Sequence, residues 1–244
     1  MHWFHKYCDF VKWLNKQTLR VKMRRGKQRV YFNKGFHSQK NLLSLEHIDE
    51  LVDKGEILKR GNSTTVSKVE LNDQTVVIKR YNTNSIWSGI KQLVKVTYAY
   101  NCWFIAHWLR WNNISTPKPL AVVELKLGFL WKRSYLITEY APFCSLDDFL
   151  QDPTHSEINI DKTEQRIRVL FSTLRKAHVS HGDFKSSNLL CLQDDICLVD
   201  LDHAYFHFVG VMLLLRLKRD KKRFLKNFND SSKLQERFRK VLSK

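Results

Sequence analysis

The sequence predicts an α+β fold, with strands dominating its earlier part and helices its later part. Three observations predict it. At 244 residues, 43% hydrophobic and 12% aromatic, the chain is long and apolar enough for a sizeable core, arranged as one large domain or two lobes. Runs rich in β-branched residues dominate its earlier part. Segments with a helical period dominate the later part, and no repeat or low-complexity tract breaks that order.

The elements follow in turn. Residues 1–50 read as a basic N-terminal extension holding RVKMRRGKQR, Arg20 to Arg29, either a solvated charged face or an anion-binding one. EILKRGNSTTVSKVEL (56–71) and QTVVIKRYN (74–82) are rich in β-branched residues and meet at Asn72 and Asp73, which predicts antiparallel strands. SIWSGIKQLVKVTYAYNCWFIAHWLRWNNI (85–114) has helical length and period and stops before Pro117 and Pro119. AVVEL, FLWKRSYLITEY and the later ICLVDLD read as strands, SLDDFL and 161–178 as helices.

A formal charge of +18 implies an anionic partner: nucleic acid, a phosphorylated small molecule or an acidic membrane face. Charge does not choose among them. The five cysteines form no C-x-x-C pair, and their odd number fits free thiols in a reducing, cytosolic compartment. MHWFHKYCDFVKWLNK lacks the apolar core and cleavage site of a signal peptide. The longest later apolar run, FVGVMLLL from Phe208 to Leu215, is far shorter than the roughly 20 residues that span a bilayer, so membrane contact is expected to be peripheral. His203 and His207 have no third ligand nearby and read as packing or surface residues, while Trp103, Trp108 and Trp111 read as core on one helix. Cys191 and Cys197 flank a turn and are expected to stay reduced.

HGDFKSSNLLCLQDDICLVDLDHA, residues 181–204, carries the chemistry. His181, Asp183 and Asn188 fit H-x-D-x-x-x-x-N, which puts a carboxylate at the start of a loop and a carboxamide at its far end, facing one cavity. Asp183 can orient a hydroxyl and accept its proton, and Asn188 can offer a carbonyl oxygen to a hard cation. The strand ICLV ends in Asp200, a second oxygen ligand where Mg²⁺ would bridge phosphates. Phosphoryl transfer asks a protein for little beyond positioning and charge neutralisation. Lys79, in VVIKRY, supplies an early-strand cation for nucleotide phosphates.

The motif set resembles the protein-kinase-like fold. HGDFKSSN is similar to the H-R-D-x-x-x-x-N catalytic loop, VDLD to the D-F-G region, VVIK to V-A-I-K, and ITEYAP (137–142) to the hinge, all in the right order. Gly182 replaces the Arg that pairs with activation-loop phosphate, and no A-P-E-like sequence follows Asp200, which disfavours a protein substrate. Among small-molecule kinases the chain resembles the lipopolysaccharide core sugar kinases, which phosphorylate heptose or 3-deoxy-manno-octulosonic acid (Kdo). The carrying stretches are LKRGNSTTV, VVIKRYN, NNISTPKPLAVVE, YLITEYAP, SHGDFKSSNLL, ICLVDLDHA and RLKRDKKRFLKNF, within 57–228.

That resemblance implies a bilobal kinase-like fold using ATP and Mg²⁺, a β-rich first lobe at 51–138 and a short, mainly helical second lobe at 139–244 ending in a basic helix. Asp183 would be the base and Lys185 would neutralise the γ-phosphate; Asn188 and Asp200 would hold Mg²⁺, with Asp202 as an added ligand, a supporting acid or a surface carboxylate. Lys79 would contact the α- and β-phosphates, and the backbone at Glu139 and Ala141 would receive adenine. The acceptor would be a lipid-linked anionic glycan at the cytoplasmic face of a bacterial inner membrane, with no nucleic acid expected. Two departures stand out. The phosphate loop keeps only Gly61, so backbone N–H groups with Ser63, Thr64 and Thr65 would cover the phosphates. No acid lies between Lys79 and Glu124, so Glu56, Glu70 or the phosphates themselves would orient Lys79, with only the neutral Asn101 near the usual position. Two alternatives stay open: a soluble aminoglycoside- or choline-type kinase, and a non-catalytic pseudokinase that binds an anionic membrane.

Overall fold

The computed structural model describes all residues except 1, 24–27, 37–44, 72–73, 83–96, 128–129, 153, 155–156, 193–194, 230 and 244. The chain forms two compact units, residues 1–107 with 118–140, and residues 108–117 with 141–244.

The first unit contains α1 (His2–Gln17), β1 (Thr18–Met23), β2 (Gln28–Asn33), α2 (Leu45–Lys54), β3 (Glu56–Arg60), β4 (Thr64–Leu71), β5 (Gln74–Asn82), β6 (Pro119–Leu127) and β7 (Leu130–Glu139). Helix α3 (Tyr98–Trp111) is divided, 98–107 counting with this unit. The seven strands make one antiparallel sheet in the order β1-β2-β6-β7-β5-β4-β3.

Strand alternation sorts its residues. Val30, Phe32, Val76, Ile78, Val123 and Ile137 pack with Ile48 and Val52 of α2 in one buried cluster. Arg80 follows them to that face, where its guanidinium meets Asp49 at 3.1 Å and Asp53 at 3.0 Å. Its neighbour Lys79 is thereby sent to the opposite face. There, Tyr31 packs edge-on to Tyr100 of α3 and Phe104 of α3 meets Phe10 of α1.

Three features depart from the sequence reading. Residues 56–71 are two strands rather than one, because the Gly61 N–H closes on the Thr64 carbonyl at 2.8 Å and turns the chain back on itself. The N-terminal stretch supplies β1 and β2 to the sheet, with Arg20 and Arg29 on strands; Arg24, Arg25 and Lys27 lie outside the described residues. Of the helix expected over 85–114, the described part is α3, and 85–96 lie outside the described residues.

The second unit contains α4 (Leu146–Gln151), α5 (Glu157–Lys176), β8 (Val179–Ser180), β9 (Leu189–Cys191), β10 (Ile196–Leu198), β11 (Tyr205–Phe206), α6 (Gly210–Lys226) and α7 (Ser232–Ser243). Ser145 caps α4 in a reciprocal pair with Asp148. Arg237 of α7 reaches Asp161 and Glu164 of α5, each at 2.5 Å. Between these helices lie Phe171, Phe184, Phe224, Phe228 and Phe238, all at most 5% exposed, and burying each such ring contributes about 1.5–3 kcal/mol. Trp108 donates its indole N–H to the Ala177 carbonyl at 2.7 Å, and the His207 ring pairs with the Ser180 hydroxyl at 2.7 Å. Cys191 and Cys197 are free thiols in the β9–β10 hairpin, and burial pushes both up to about 12. Among the described residues no helix is long and apolar enough to cross a membrane.

Candidate active site

Residues 181–188 connect β8 to β9 and are held from three sides. His181 is fully buried: its Nε2 donates to the Val199 carbonyl at 2.9 Å and its Nδ1 accepts from the Asp183 N–H at 3.3 Å, which assigns the tautomer. Burial also holds the ring's pKa below its usual value, so it stays neutral. Phe184 plants the loop in the core, its ring 4.4 Å from that of Phe171 and 5.6 Å from that of Phe224. Asp220 of α6 accepts the N–H of His181 at 2.8 Å and of Gly182 at 2.9 Å. Between those anchors Gly182 takes φ +77°, and a side chain there would drive into the His203 carbonyl. The Gly that replaces Arg in the motif is therefore a steric requirement of this loop.

Asp183 emerges from this frame with its two oxygens in different surroundings. Oδ2 faces the Asn188 amide nitrogen at 3.4 Å and Lys185 Nζ at 3.6 Å. Oδ1 is buried, receives no directed hydrogen bond, and lies against the guanidinium of Arg223 as an ion pair. Asn188 donates more firmly to the Asp183 main-chain carbonyl, at 2.9 Å, which fixes the amide so that its oxygen is turned away from that carbonyl. Val199 is tied at both ends, its N–H to the Asn188 carbonyl at 3.0 Å and its C=O to His181. That clamp sets the next residue, Asp200, beside the loop, where its charge and that of Asp183 both act on the His181 ring. Asp200 adopts φ 60° and ψ 60°, a left-handed conformation that costs most residues about 1 kcal/mol and that Asp tolerates better than most. Asp202 lies on the short turn Leu201–His203 that follows. Among the described residues no cluster of three or more His, Cys, Asp and Glu is placed to hold a metal; the oxygen set of Asn188 and Asp200 is of another kind, suited to a hard cation.

In the first unit, Lys79 lies with its Nζ 5.4 Å over the Tyr81 ring. The two carboxylates expected to orient it are engaged elsewhere, Glu56 with Lys68 at 3.0 Å and Glu70 with the Thr75 hydroxyl at 2.8 Å. Asn101 is half-buried on α3. Gly61 and Ser63 are exposed in the turn between β3 and β4, and a methyl group on Gly61 would meet nothing closer than 3.6 Å, so no close approach demands glycine there. Thr64 stands opposite Tyr81 and so on the Lys79 face; Thr65 stands opposite Arg80, buried on the α2 face, and its hydroxyl is withdrawn from the phosphate-covering set. Glu139 donates its N–H to the Lys118 carbonyl at 3.0 Å, so any contact to a base falls to its carbonyl. The Ala141 carbonyl, in the second unit, accepts from the Phe143 N–H at 2.9 Å.

Sequence reasoning missed Asp220 and Arg223, reading their segment only as a basic C-terminal helix. One signal was present. Leu213, Leu217, Asp220 and Phe224 repeat with the period of one helix face, all buried, and the lone acid of α6 falls on that apolar stripe.

A family model described as "Lipopolysaccharide kinase (Kdo/WaaP) family" matches residues 50–233, most of the chain. The chain belongs to the lipopolysaccharide kinase (Kdo/WaaP) family. Membership makes it a phosphotransferase acting on a sugar hydroxyl, and the matched span includes Lys79, Asp183, Asn188, Asp200, Asp220 and Arg223. A solved structure titled "WaaP in complex with acyl carrier protein" is similar in fold, with a TM-score of 0.64 and 15% identity over 88% of each chain. At that identity the likeness shows the kinase-like fold alone, and with 1900 solved chains matching, the fold by itself selects no substrate. No curated protein sequence matches the chain.

Proposed function

We propose that this Kdo/WaaP-family kinase transfers the γ-phosphate of ATP to a heptose or Kdo hydroxyl of the lipopolysaccharide inner core, at the cytoplasmic face of the inner membrane. The observation that carries the catalytic assignment is the frame around Asp183: its buried Oδ1 lies against the Arg223 guanidinium as an ion pair, and its Oδ2 faces Asn188 and Lys185. A carboxylate fixed in that way is oriented to accept the hydrogen of an incoming hydroxyl. Lys185, 3.6 Å from Oδ2, is assigned to neutralise the transferred phosphoryl group. Lys79 and the turn of Gly61, Ser63 and Thr64 are assigned to the nucleotide phosphates, and the Glu139 carbonyl with the Ala141 N–H to adenine.

Asn188 and Asp200 offer only oxygen, the donor type that Mg²⁺ takes, with Asp202 as a further candidate. Bound there, Mg²⁺ would neutralise phosphate charge. Family membership decides against an aminoglycoside- or choline-type kinase. Asp183→Asn is expected to keep the fold and nucleotide binding while lowering phosphate transfer to purified core acceptor by about two to four orders of magnitude. A kcat near wild type, scored by the mass and position of added phosphate, removes Asp183 from this role.

A further inference from the structure

Helix α6 presents three different sides. Its buried stripe, Leu213, Leu217, Asp220 and Phe224, faces the core. At about 3.6 residues per turn, Val211, Leu215, Lys218 and Lys222 line up on the opposite, outward side. The first two turns there are apolar: Phe208, Val209, Val211, Met212, Leu214 and Leu215 run through the entry to the helix, each between 48% and 66% exposed. The later turns are cationic, with Lys218, Arg219, Lys222 and Lys226 all exposed. Soluble proteins scatter exposed apolar side chains singly and rarely gather six in one run.

A second observation concerns charge. A groove between α5, α6 and α7 is lined in part by Leu214 and Leu217, and among the described residues its lining contains four cations, Arg168, Arg175, Lys218 and Lys221, and no acidic side chain. Lys221 is steadied there by the Leu242 carbonyl at 2.5 Å and by the Phe171 ring, yet burial and the neighbouring Arg175 both push its pKa down. Cations held together without a carboxylate await an anion from outside.

We infer that the outward face of α6 docks the second unit on an anionic bilayer, its apolar turns entering the acyl boundary and its cationic turns and groove meeting lipid phosphates. A bilayer supplies those two layers in that order within a few ångströms. A second copy of the chain does not, because a symmetric contact would return like charges and offer no acid to the groove. The same helix holds the catalytic loop through Asp220 and places Arg223 on Asp183, so docking would set the base within about one helix diameter, 10–12 Å, of the headgroups. The use of this arrangement rests on the proposed lipid-linked acceptor; its test does not.

The full chain is sedimented with phosphatidylcholine vesicles, with and without phosphatidylglycerol, without nucleotide or acceptor. Wild type is expected to bind the anionic vesicles at low salt and to release as salt rises. Met212→Gln/Leu214→Gln/Leu215→Gln should weaken binding about ten-fold, and Lys218→Gln/Lys222→Gln should lose about ten-fold of the preference for anionic lipid, while both keep wild-type kcat on a water-soluble core fragment. Overturning results are wild type indifferent to phosphatidylglycerol, an apolar variant that binds like wild type, or a dimer or an acyl carrier protein complex that the apolar variant abolishes without changing vesicle binding. Vesicle binding intact in a chain that phosphorylates no core acceptor supports the docking and overturns the proposed function instead.

Discussion

Asp220 is a carboxylate withdrawn from water by its own helix and kept useful by two backbone N–H groups. Burial pushes its carboxyl up to about 6, against the pull of the His181 and Gly182 hydrogen bonds. Because the folded value lies above the unfolded one, the folded state binds the proton first. This group therefore adds stability as pH falls through about 6 toward its ordinary value of 3.8, and that contribution is lost as pH rises through about 6. Function runs the other way, since a protonated Asp220 no longer offers two charged oxygens to the loop. Activity is expected to show an acid limb near pH 6, while the Tm of wild type gains more between pH 7 and pH 5 than that of Asp220→Asn. Superimposable Tm profiles for the two would show that Asp220 does not titrate in this range.

At the scale of elements, α6 shows what a charge run conceals. Read along the sequence, Lys221, Lys222 and Arg223 are one basic cluster; folded, they take three directions, into the groove, to solvent and onto Asp183. Arg223→Gln is expected to lower kcat on a soluble acceptor by about one to two orders of magnitude, because the base loses the charge that holds it in place. Lys222→Gln, one residue away, should leave that kcat unchanged. Equal effects from the two would mean that the Arg223 contact is incidental. The same helix explains what was legible. Spacing was enough to bring Asp183 and Asn188 together, since a loop motif joins its members over a few residues. Asp220 and Arg223 meet that loop from about 40 residues away, 39 positions separating His181 from Asp220, and no local pattern encodes such a meeting beyond an acid on an apolar stripe. In the sheet, β1 was hidden because Arg20 and Lys22 alternate with Leu19, Val21 and Met23 and read as a basic run, and β2 because Arg29 closes that run just ahead of its apolar residues.

At the scale of the whole molecule, the bias of strands to the earlier part and helices to the later part was legible from period, but the passage of 108–117 into the second unit was not, since helix α3 runs unbroken across that boundary. The net charge of +18 was legible too, but its distribution was not. Several cations are committed internally: Arg80 and Arg133 to Asp49, Arg237 to Asp161 and Glu164, Arg223 to Asp183. The remainder repel one another across the surface, a cost to the compact state that salt screens within a Debye length of about 10 Å at 0.1 M. Heating in rising NaCl should therefore raise the Tm by several degrees, each 1 kcal/mol of relieved repulsion being worth about 2–4 °C for a chain of this size. The same salt should raise the KM for acceptor presented in anionic vesicles and leave the KM for a soluble core fragment nearly unchanged. These two responses have different origins, self-repulsion in one and docking in the other. A Tm that falls with salt would show that attractive pairs such as Arg237 with Asp161 outweigh the surplus. An acceptor KM equally salt-sensitive in both forms would place the screened contact at the sugar and not at the membrane.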